Sequence, residues 1–282
     1  MNNKAFAVFV GAIMVLSAFA GFVLTGGDQQ GAVVGSGSAS LDAFGVQGRL
    51  VDWRFDSLED VLEMAPESTV MAYWINLSAS ENLTEAARAA LPQSLGLTYG
   101  SQLYPTRIER LAQAYFNETW IEFHWIRPFP VGYSGLVVPY EGYMMIPAST
   151  EYMTVMGRPT IFGRQEAVQQ VLDVISGGLP TDRFTLPIGE SADLQVASLG
   201  RGAEGLVLPG GYREFYLGVS RSGEAYSISA RYLEPDASAL ERAQRAAERY
   251  GLTYSPGGSN AEISGSVGSE DLQGLLVALL GP

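Results

Sequence analysis

The sequence predicts an α+β body of two ferredoxin-like (split βαβ) modules in tandem, preceded by one N-terminal transmembrane helix. Three observations support this fold class. An uncharged apolar run extends from Ala5 to Leu24. Beyond it, strand-like alternation and helical periodicity succeed one another along the rest of the 282 residues. The succession of strand, helix and the tetrapeptide GLTY occurs twice, ending at 96–99 and at 251–254.

The first 27 residues are predicted to be a membrane anchor or a signal peptide. At about 1.5 Å per helical residue, the run from Ala5 to Leu24 spans roughly the 30 Å of a bilayer core. Lys4 before the run and the acidic chain after it orient the N-terminus inward. A small-x-small pattern ends at Ala20, so the chain is secreted if it is cut there. Either way the body lies outside the cytoplasm, and an uncut chain is a single-pass protein of the cell membrane.

Composition divides the chain into four segments. Gly, Ser and Gln dominate the residues after the apolar run, which is typical of a flexible tether. The predicted organisation is an anchor or signal peptide at 1–27, a tether at 28–47, a first module at 48–190 and a second module at 191–282. The first module carries an aromatic-rich β insertion at 115–152.

Element patterns in the first module begin with a short acidic helix. Asp56 is predicted to cap it, with Glu59 at the capping-box position. Four acids at helical spacing, Asp56, Glu59, Asp60 and Glu63, are expected to form a solvated face. Apolar periodicity then predicts a central strand over 69–75, a helix over 80–91, a strand over 154–162 and a helix over 165–175.

The second module shows the same succession of elements. Strands are predicted over 194–199, 214–219, 225–233 and 261–267. Asp236 is predicted to cap a helix that reaches Tyr250, and a last helix covers 269–280. We interpret each half as the order β-α-β-β-α, which is the split βαβ plan.

The composition limits the partners and the chemistry of the body. Acidic residues number 30 against 17 Lys and Arg, for a formal net charge of −13. No nucleic-acid partner is expected, because nucleic-acid binding requires a positive surface that replaces counterions. The chain has no cysteine, which excludes disulfides and thiolate metal sites. With His124 as the single histidine, a histidine-rich metal site is excluded too.

Neither a cofactor nor a catalytic residue is predicted. Residues 200–205 match the glycine spacing of a dinucleotide-binding loop, but the helix that should follow is replaced by LVLPGG. Ser134 could face His124 across a hairpin, but no acid partner is defined for this pair. His124 is better interpreted as a polar residue on a half-buried strand.

Three asparagines lie in N-x-Ser/Thr sequons and are glycosylation candidates. They are Asn76, Asn82 and Asn117, which is half of the asparagines in the chain. The sequons agree with a body outside the cytoplasm.

The aromatic insertion supplies the candidates for partner binding. Trp120, Trp125 and Tyr133 suit protein docking, carbohydrate stacking or contact with a membrane interface if they are exposed. The alternative is that they belong to an ordinary sheet core.

Two segments carry a resemblance to a known group of proteins. SLEDVLEMAPESTVMAYWINL, followed by GRPTIFGRQEAVQQVLDVISG, is similar to modules of membrane-anchored surface proteins of euryarchaea whose function is uncharacterised. The resemblance implies a location and an architecture, and it brings no catalytic residues.

Three functions remain open at this point. The leading hypothesis is a non-enzymatic binding or structural protein at the outer face of the membrane. Such a protein would have a protein partner, as an accessory subunit of an envelope complex does. One alternative is an envelope-polymer hydrolase with carboxylate catalysts. Another is a small-molecule binding module with a cleft between the two halves.

Overall fold

The computed structural model describes four stretches of the chain: 48–127, 137–186, 192–200 and 209–281. The N-terminal segment, the tether, most of the glycine motif and both Tyr133 and Ser134 lie outside them. Among the described residues, no helix is both long and apolar enough to cross a membrane.

The described residues form fourteen strands and six helices. The strands are β1 (Val51–Asp52), β2 (Thr69–Asn76), β3 (Arg107–Phe116), β4 (Thr119–Arg127), β5 (Val138–Tyr140), β6 (Tyr143–Pro147), β7 (Tyr152–Val155), β8 (Gly157–Arg158), β9 (Thr160–Arg164), β10 (Leu194–Leu199), β11 (Glu214–Ser222), β12 (Ala225–Leu233), β13 (Thr253–Gly257) and β14 (Asn260–Gly268). The helices are α1 (Leu58–Leu62), α2 (Glu81–Ala90), α3 (Leu95–Leu103), α4 (Gln165–Ile175), α5 (Ala237–Tyr250) and α6 (Ser269–Leu280).

Twelve of the strands form one antiparallel sheet. Its order is β13-β14-β12-β11-β10-β2-β3-β4-β9-β7-β6-β5. The remaining two strands, β1 and β8, pair in parallel. The predicted α+β class is confirmed at this level, as a mixed architecture with a large antiparallel sheet.

Helices cover both faces of the sheet. Alternate residues of β2 show why: Tyr73 and Ile75 belong to one hydrophobic core, and Ala72 and Trp74 belong to the other. The first core contains the buried residues of α2, α5 and α6, and the second contains those of α1 and α4. A strand buried on both faces needs the unbroken apolar sequence that predicted β2.

The first helix begins one residue later than predicted, and its face is not solvated throughout. Ser57, not Asp56, is the N-cap, and its partner in the capping box is Asp60. Asp60 is only 4% exposed, and its Oδ2 accepts from the Ser57 amide at 2.9 Å. Helical spacing alone could not reveal this, because it does not show which face turns inward.

The two halves differ in strand order. In the second half β14 lies between β12 and β13, so α5 crosses between two strands separated by a third. In the first half β2 pairs directly with β3, although α2 and α3 connect them. The two GLTY segments also differ. The first lies within α3, and the second begins at Gly251, the left-handed cap of α5, and continues into β13.

The sheet and the core continue across the boundary predicted at 190–191. β10, from the second half, pairs with β2 of the first half over five residues, from Leu194 opposite Ile75 to Ser198 opposite Met71. The buried side chains of α2 and α6 share one core. The described body therefore has a continuous sheet and core through both halves.

Candidate functional site

A cleft of about 690 Å³ lies between α2, α3 and the start of β3. Its apolar lining comes from Leu77, Leu97, Tyr104 and Ile108. Its charged lining comes from Glu81, Glu85, Arg88 and Arg107. The volume is in the range of small-molecule sites, and the mixture of apolar walls with a few polar groups is typical of them.

Three side chains form a hydrogen-bonded relay that leads from the cleft into the core. The Tyr104 hydroxyl lies 2.7 Å from His124 Nδ1, and His124 Nε2 lies 2.8 Å from Glu122 Oε2. The His124 and Glu122 side chains are fully buried. They come from alternate positions of β4 and therefore lie on the same face of the sheet.

The relay ends at the N-terminus of α3. Glu122 Oε1 accepts from the Leu95 amide at 2.7 Å, and Oε2 accepts from the Gly96 amide at 2.9 Å. Two otherwise unpaired helix amides thus meet a carboxylate, which the helix dipole also favours. As an acceptor, the carboxylate takes its third hydrogen bond from His124 Nε2–H. The other ring nitrogen, Nδ1, is hydrogen-bonded to the Tyr104 hydroxyl.

Gly96 permits this close approach of helix and sheet. A Cβ at this position would lie 2.2 Å from Leu111 Cδ1 and 2.7 Å from His124 Nε2. A side chain would therefore push α3 away from the carboxylate. The glycine of the first GLTY segment thus has a packing role that the second, at a left-handed helix cap, does not share.

A row of polar side chains continues from Glu122 across the sheet. Gln113 stands opposite Glu122 on β4 and opposite Tyr73 on β2, and its Oε1 accepts from the Tyr73 hydroxyl at 2.7 Å. The Gln113 Nε2 and the Tyr115 hydroxyl are buried with no partner among the described residues. Such unpaired groups are costly, so this row is a polar interior that packing alone does not require.

Burial keeps the tyrosines of this region protonated. It raises the pKa of Tyr73 and of Tyr104 well above the ordinary value. Burial also raises the pKa of Tyr115, and the charge of Glu122 adds to the shift. The Tyr104 hydroxyl is therefore a hydrogen-bonding group that orients its ring, and it is unsuited to act as a nucleophile.

Two arginines are held in place at the cleft by main-chain carbonyls. Arg88 Nε donates to the Leu97 carbonyl at 3.1 Å, and Arg107 Nη2 donates to the Leu77 carbonyl at 3.0 Å. No ion pair with a carboxylate is formed by either arginine within the part of the chain that the structure describes. Their remaining N–H groups are available to a ligand.

The structure separates the residues predicted to bind a partner. Trp120 and Trp125 are both half-buried, but they lie on opposite faces of β4. Trp120 packs against Tyr152 and Phe162, with ring centroids 5.6 and 6.3 Å away. Trp125 stacks on Phe55 at 6.4 Å. Side-chain alternation prevents the two tryptophans from forming one docking surface, and Tyr133 lies outside the described residues.

The other predicted residues have distinct environments. His124 is fully buried, which exceeds the half-buried position expected of it, and Ser134 lies outside the described residues. Asn82 is exposed on α2, and Asn117 is exposed at the β3–β4 turn. Asn76 is half-buried at the end of β2, where its Oδ1 accepts from the Ser78 amide at 3.1 Å. Asn82 and Asn117 are thus the more accessible acceptors in the folded chain.

Sequence reasoning did not identify the relay or the two arginines. One signal was present, because Glu122 and His124 occupy alternate positions in an otherwise apolar strand. Two ionisable residues that face a core together need partners. Tyr104 and Gly96 could not be found in this way, since only tertiary packing brings them to β4.

Among solved structures with a similar fold are two crystal forms of TP0453. Crystal form III has a TM-score of 0.50 and 11% sequence identity, and the match covers 77% of this chain and 98% of that chain. Crystal form I has a TM-score of 0.49 and 10% identity, covering 78% of this chain and 97% of that chain. The match to form III concerns the fold alone. No known family model and no curated protein matches this chain.

Proposed function

We propose that this protein is an extracytoplasmic binding protein, held at the outer face of a membrane by its N-terminal segment, and that the cleft beside α3 is its ligand site. The observation that supports the proposal most is the relay from Glu122 through His124 to Tyr104. It anchors one wall of the cleft, the N-terminus of α3, and orients a second, the Tyr104 ring.

The relay matters because burying ionisable groups opposes folding. A buried carboxylate and imidazole lose hydration, and their mutual bonds offset this loss only when the geometry is good. An apolar core would hold a helix on a sheet at lower cost. Groups that are fixed before the ligand arrives bind it with a smaller loss of side-chain entropy. The relay therefore supports a binding wall more than it supports simple packing.

The test is native mass spectrometry of the full chain, extracted from its own membranes in mild detergent. We expect a reproducible small added mass on the wild-type protein. Thr98 is exposed and lines the cleft, so Thr98→Trp should fill the cleft and remove the added mass. Gln273, exposed on α6, provides the matched control, and Gln273→Trp should keep the added mass.

Two other outcomes would change the assignment. A stoichiometric second polypeptide without a small added mass would favour the role of accessory subunit in an envelope complex. An added mass that survives Thr98→Trp would place the ligand elsewhere and end the proposal for this cleft.

The hydrolase alternative has one observation in its favour. Glu81 and Glu85 both line the cleft, and glycoside hydrolysis uses two carboxylates. However, they lie four residues apart on one helix and so project from the same wall. A hydrolase needs carboxylates on both sides of the scissile bond. Loss of a hydrolytic activity in both Glu81→Gln and Glu85→Gln would support this alternative.

The other alternative, a ligand cleft between the two halves, would use a second cleft elsewhere in the molecule. A cleft of about 710 Å³ is lined by Arg183 of the first half and by Tyr212 and Asp236 of the second, among others. Retention of an added mass in Thr98→Trp would direct attention to this second cleft.

The proposal also includes the location of the protein at the membrane and the duplication of its modules. The apolar run from Ala5 to Leu24 supports an anchor or signal peptide, and the sequons support an outside location. The crossover from β12 through α5 to β13 supports a ferredoxin-like module in the second half. The direct pairing of β2 with β3 argues against an unaltered copy of it in the first half.

A further inference from the structure

The cleft beside α3 combines three kinds of recognition group within one volume. It has two arginines, Arg88 and Arg107, two acids, Glu81 and Glu85, and an apolar wall that includes the ring of Tyr104. Each kind constrains the ligand differently, and together they select a chemical class.

The arginines indicate an anionic group. Each guanidinium donates a hydrogen bond to a main-chain carbonyl, Arg88 to that of Leu97 and Arg107 to that of Leu77. The remaining N–H groups of both arginines are available to a second acceptor. The chain has 30 acidic residues, yet neither Arg88 nor Arg107 forms an ion pair with a carboxylate among the described residues. The planar fork of a guanidinium matches a carboxylate with two parallel hydrogen bonds.

The acids limit the charge that the ligand can carry. Glu81 and Glu85 line the same cleft, so a doubly charged phosphate would be repelled where a single carboxylate is tolerated. Carboxylates are also acceptors, and they bind ligand groups that donate hydrogen bonds, such as hydroxyls. The ligand therefore needs one negative charge and several donors.

The apolar wall requires a hydrocarbon face on the ligand. The half-buried Tyr104 and the exposed Pro105 line the cleft, and the Tyr104 ring is fixed edge-on to His124 with centroids 5.5 Å apart. A fixed aromatic ring beside apolar side chains suits the C–H face of a sugar ring. We infer that the cleft binds a small hydroxylated carboxylate of the uronic acid type through Arg88 and Arg107, which rests on the proposed binding function.

Isothermal titration calorimetry of the full chain in detergent tests this inference. D-glucuronate is the probe, with D-glucose for the hydroxyls alone and acetate for the carboxylate alone. We expect glucuronate to bind more tightly than either. Arg88→Gln and Arg107→Gln should each weaken glucuronate about tenfold or more, because a charge-assisted hydrogen bond is lost. Arg245→Gln removes an exposed arginine of α5 and should leave the affinity unchanged.

The controls separate this inference from the proposed function. Arg88→Lys keeps the charge without the fork, and intermediate affinity in this variant would support bidentate recognition. Glucuronate binding that is equal in wild type, Arg88→Gln and Arg107→Gln overturns the inference. If glucuronate does not bind while Thr98→Trp still removes a small added mass, the ligand class is wrong and the cleft remains a binding site. If Thr98→Trp changes neither the binding of glucuronate nor the small added mass, both proposals fail.

Discussion

At the residue scale, the decisive feature is a carboxylate placed under a helix N-terminus. Glu122 accepts from the Leu95 and Gly96 amides and from His124, so its charge is stabilised by three donors in a buried position. This arrangement holds only while α3 lies close to β4. Gly96 is the position where that distance is set.

We therefore expect Gly96→Ala to destabilise the protein by about 1–3 kcal/mol, the range typical of overpacking. The added methyl group would meet Leu111 and His124 and would also lengthen the bonds to Glu122. Equilibrium unfolding in denaturant measures the change. Gly257→Ala is the control, because a Cβ there meets only the Asn260 carbonyl oxygen at 3.7 Å. Equal stability of Gly96→Ala and wild type would show that α3 adjusts freely.

A second expectation at this scale concerns Tyr115. Its hydroxyl is buried without a partner among the described residues, so Tyr115→Phe removes an unsatisfied group and keeps the ring. The variant should be at least as stable as wild type at neutral pH, measured by thermal unfolding. A marked loss of stability would mean that the hydroxyl has a bound partner, such as an ordered water molecule.

At the scale of elements, short capping interactions set where the helices begin. Ser80, Ser94 and Asp236 cap α2, α3 and α5, each by accepting from an amide three residues later. The Ser80 hydroxyl also lies 2.6 Å from that of Tyr226, which ties α2 to β12 of the second half. Caps of this kind position whole helices as well as their first turns.

Asp236→Ala should cost about 1 kcal/mol of stability, because the Ala239 amide loses its acceptor at 2.8 Å. Asp236→Ser should retain most of this stability, since serine is also a good N-cap. Thermal unfolding of the two variants beside wild type gives the comparison. A serine variant as unstable as the alanine variant would indicate that the charge of Asp236, and not its cap, is what matters.

At the scale of the whole molecule, one sheet runs through both halves. We expect the body to unfold in a single transition, because β2 pairs with β10 and because α2 and α6 share a core. The four tryptophans all lie in the first half, so their fluorescence follows that half. Helical circular dichroism receives a large share from α5 and α6 in the second half. Two separate midpoints for these probes would mean that the halves unfold independently.

Alkaline pH should destabilise the molecule as a whole. Burial raises the pKa of Tyr73, Tyr104, Tyr115 and Tyr232, and it raises that of Tyr216 to about 12. Below about pH 10 these tyrosines are protonated in both the folded and the unfolded chain, so their contribution to stability is complete. Above it the unfolded chain ionises first, and each tyrosine removes about 1.4 kcal/mol of stability per pH unit until its folded pKa is reached.

Denaturant unfolding between pH 9 and pH 11, roughly the range in which tyrosine ionises, measures this slope. Tyr115→Phe removes one of the titrating groups, so its stability should fall less steeply with pH than that of wild type. A stability that does not change over this range would show that the tyrosines ionise without unfolding.

Local sequence patterns are enough to predict many of the individual strands and helices of this protein. Alternation predicts β12 with its observed bounds, and the bounds of β10, α4 and α6 also agree with those predicted from the sequence. Asp236 was predicted as the cap of α5, and it is. These features depend on neighbours within a few residues, whose spacing is visible in the chain.

Contacts between distant parts of the chain set which elements pair and which polar groups meet. The repeated GLTY suggested equivalent halves, but the pairing of β2 with β3 depends on contacts between residues far apart in sequence. For the same reason, Asp60 was expected on a solvated face, and Glu122 was not recognised as a helix anchor. Arg88 of α2 and Arg107 of β3 line the same cleft, and no local sequence pattern places these two residues together.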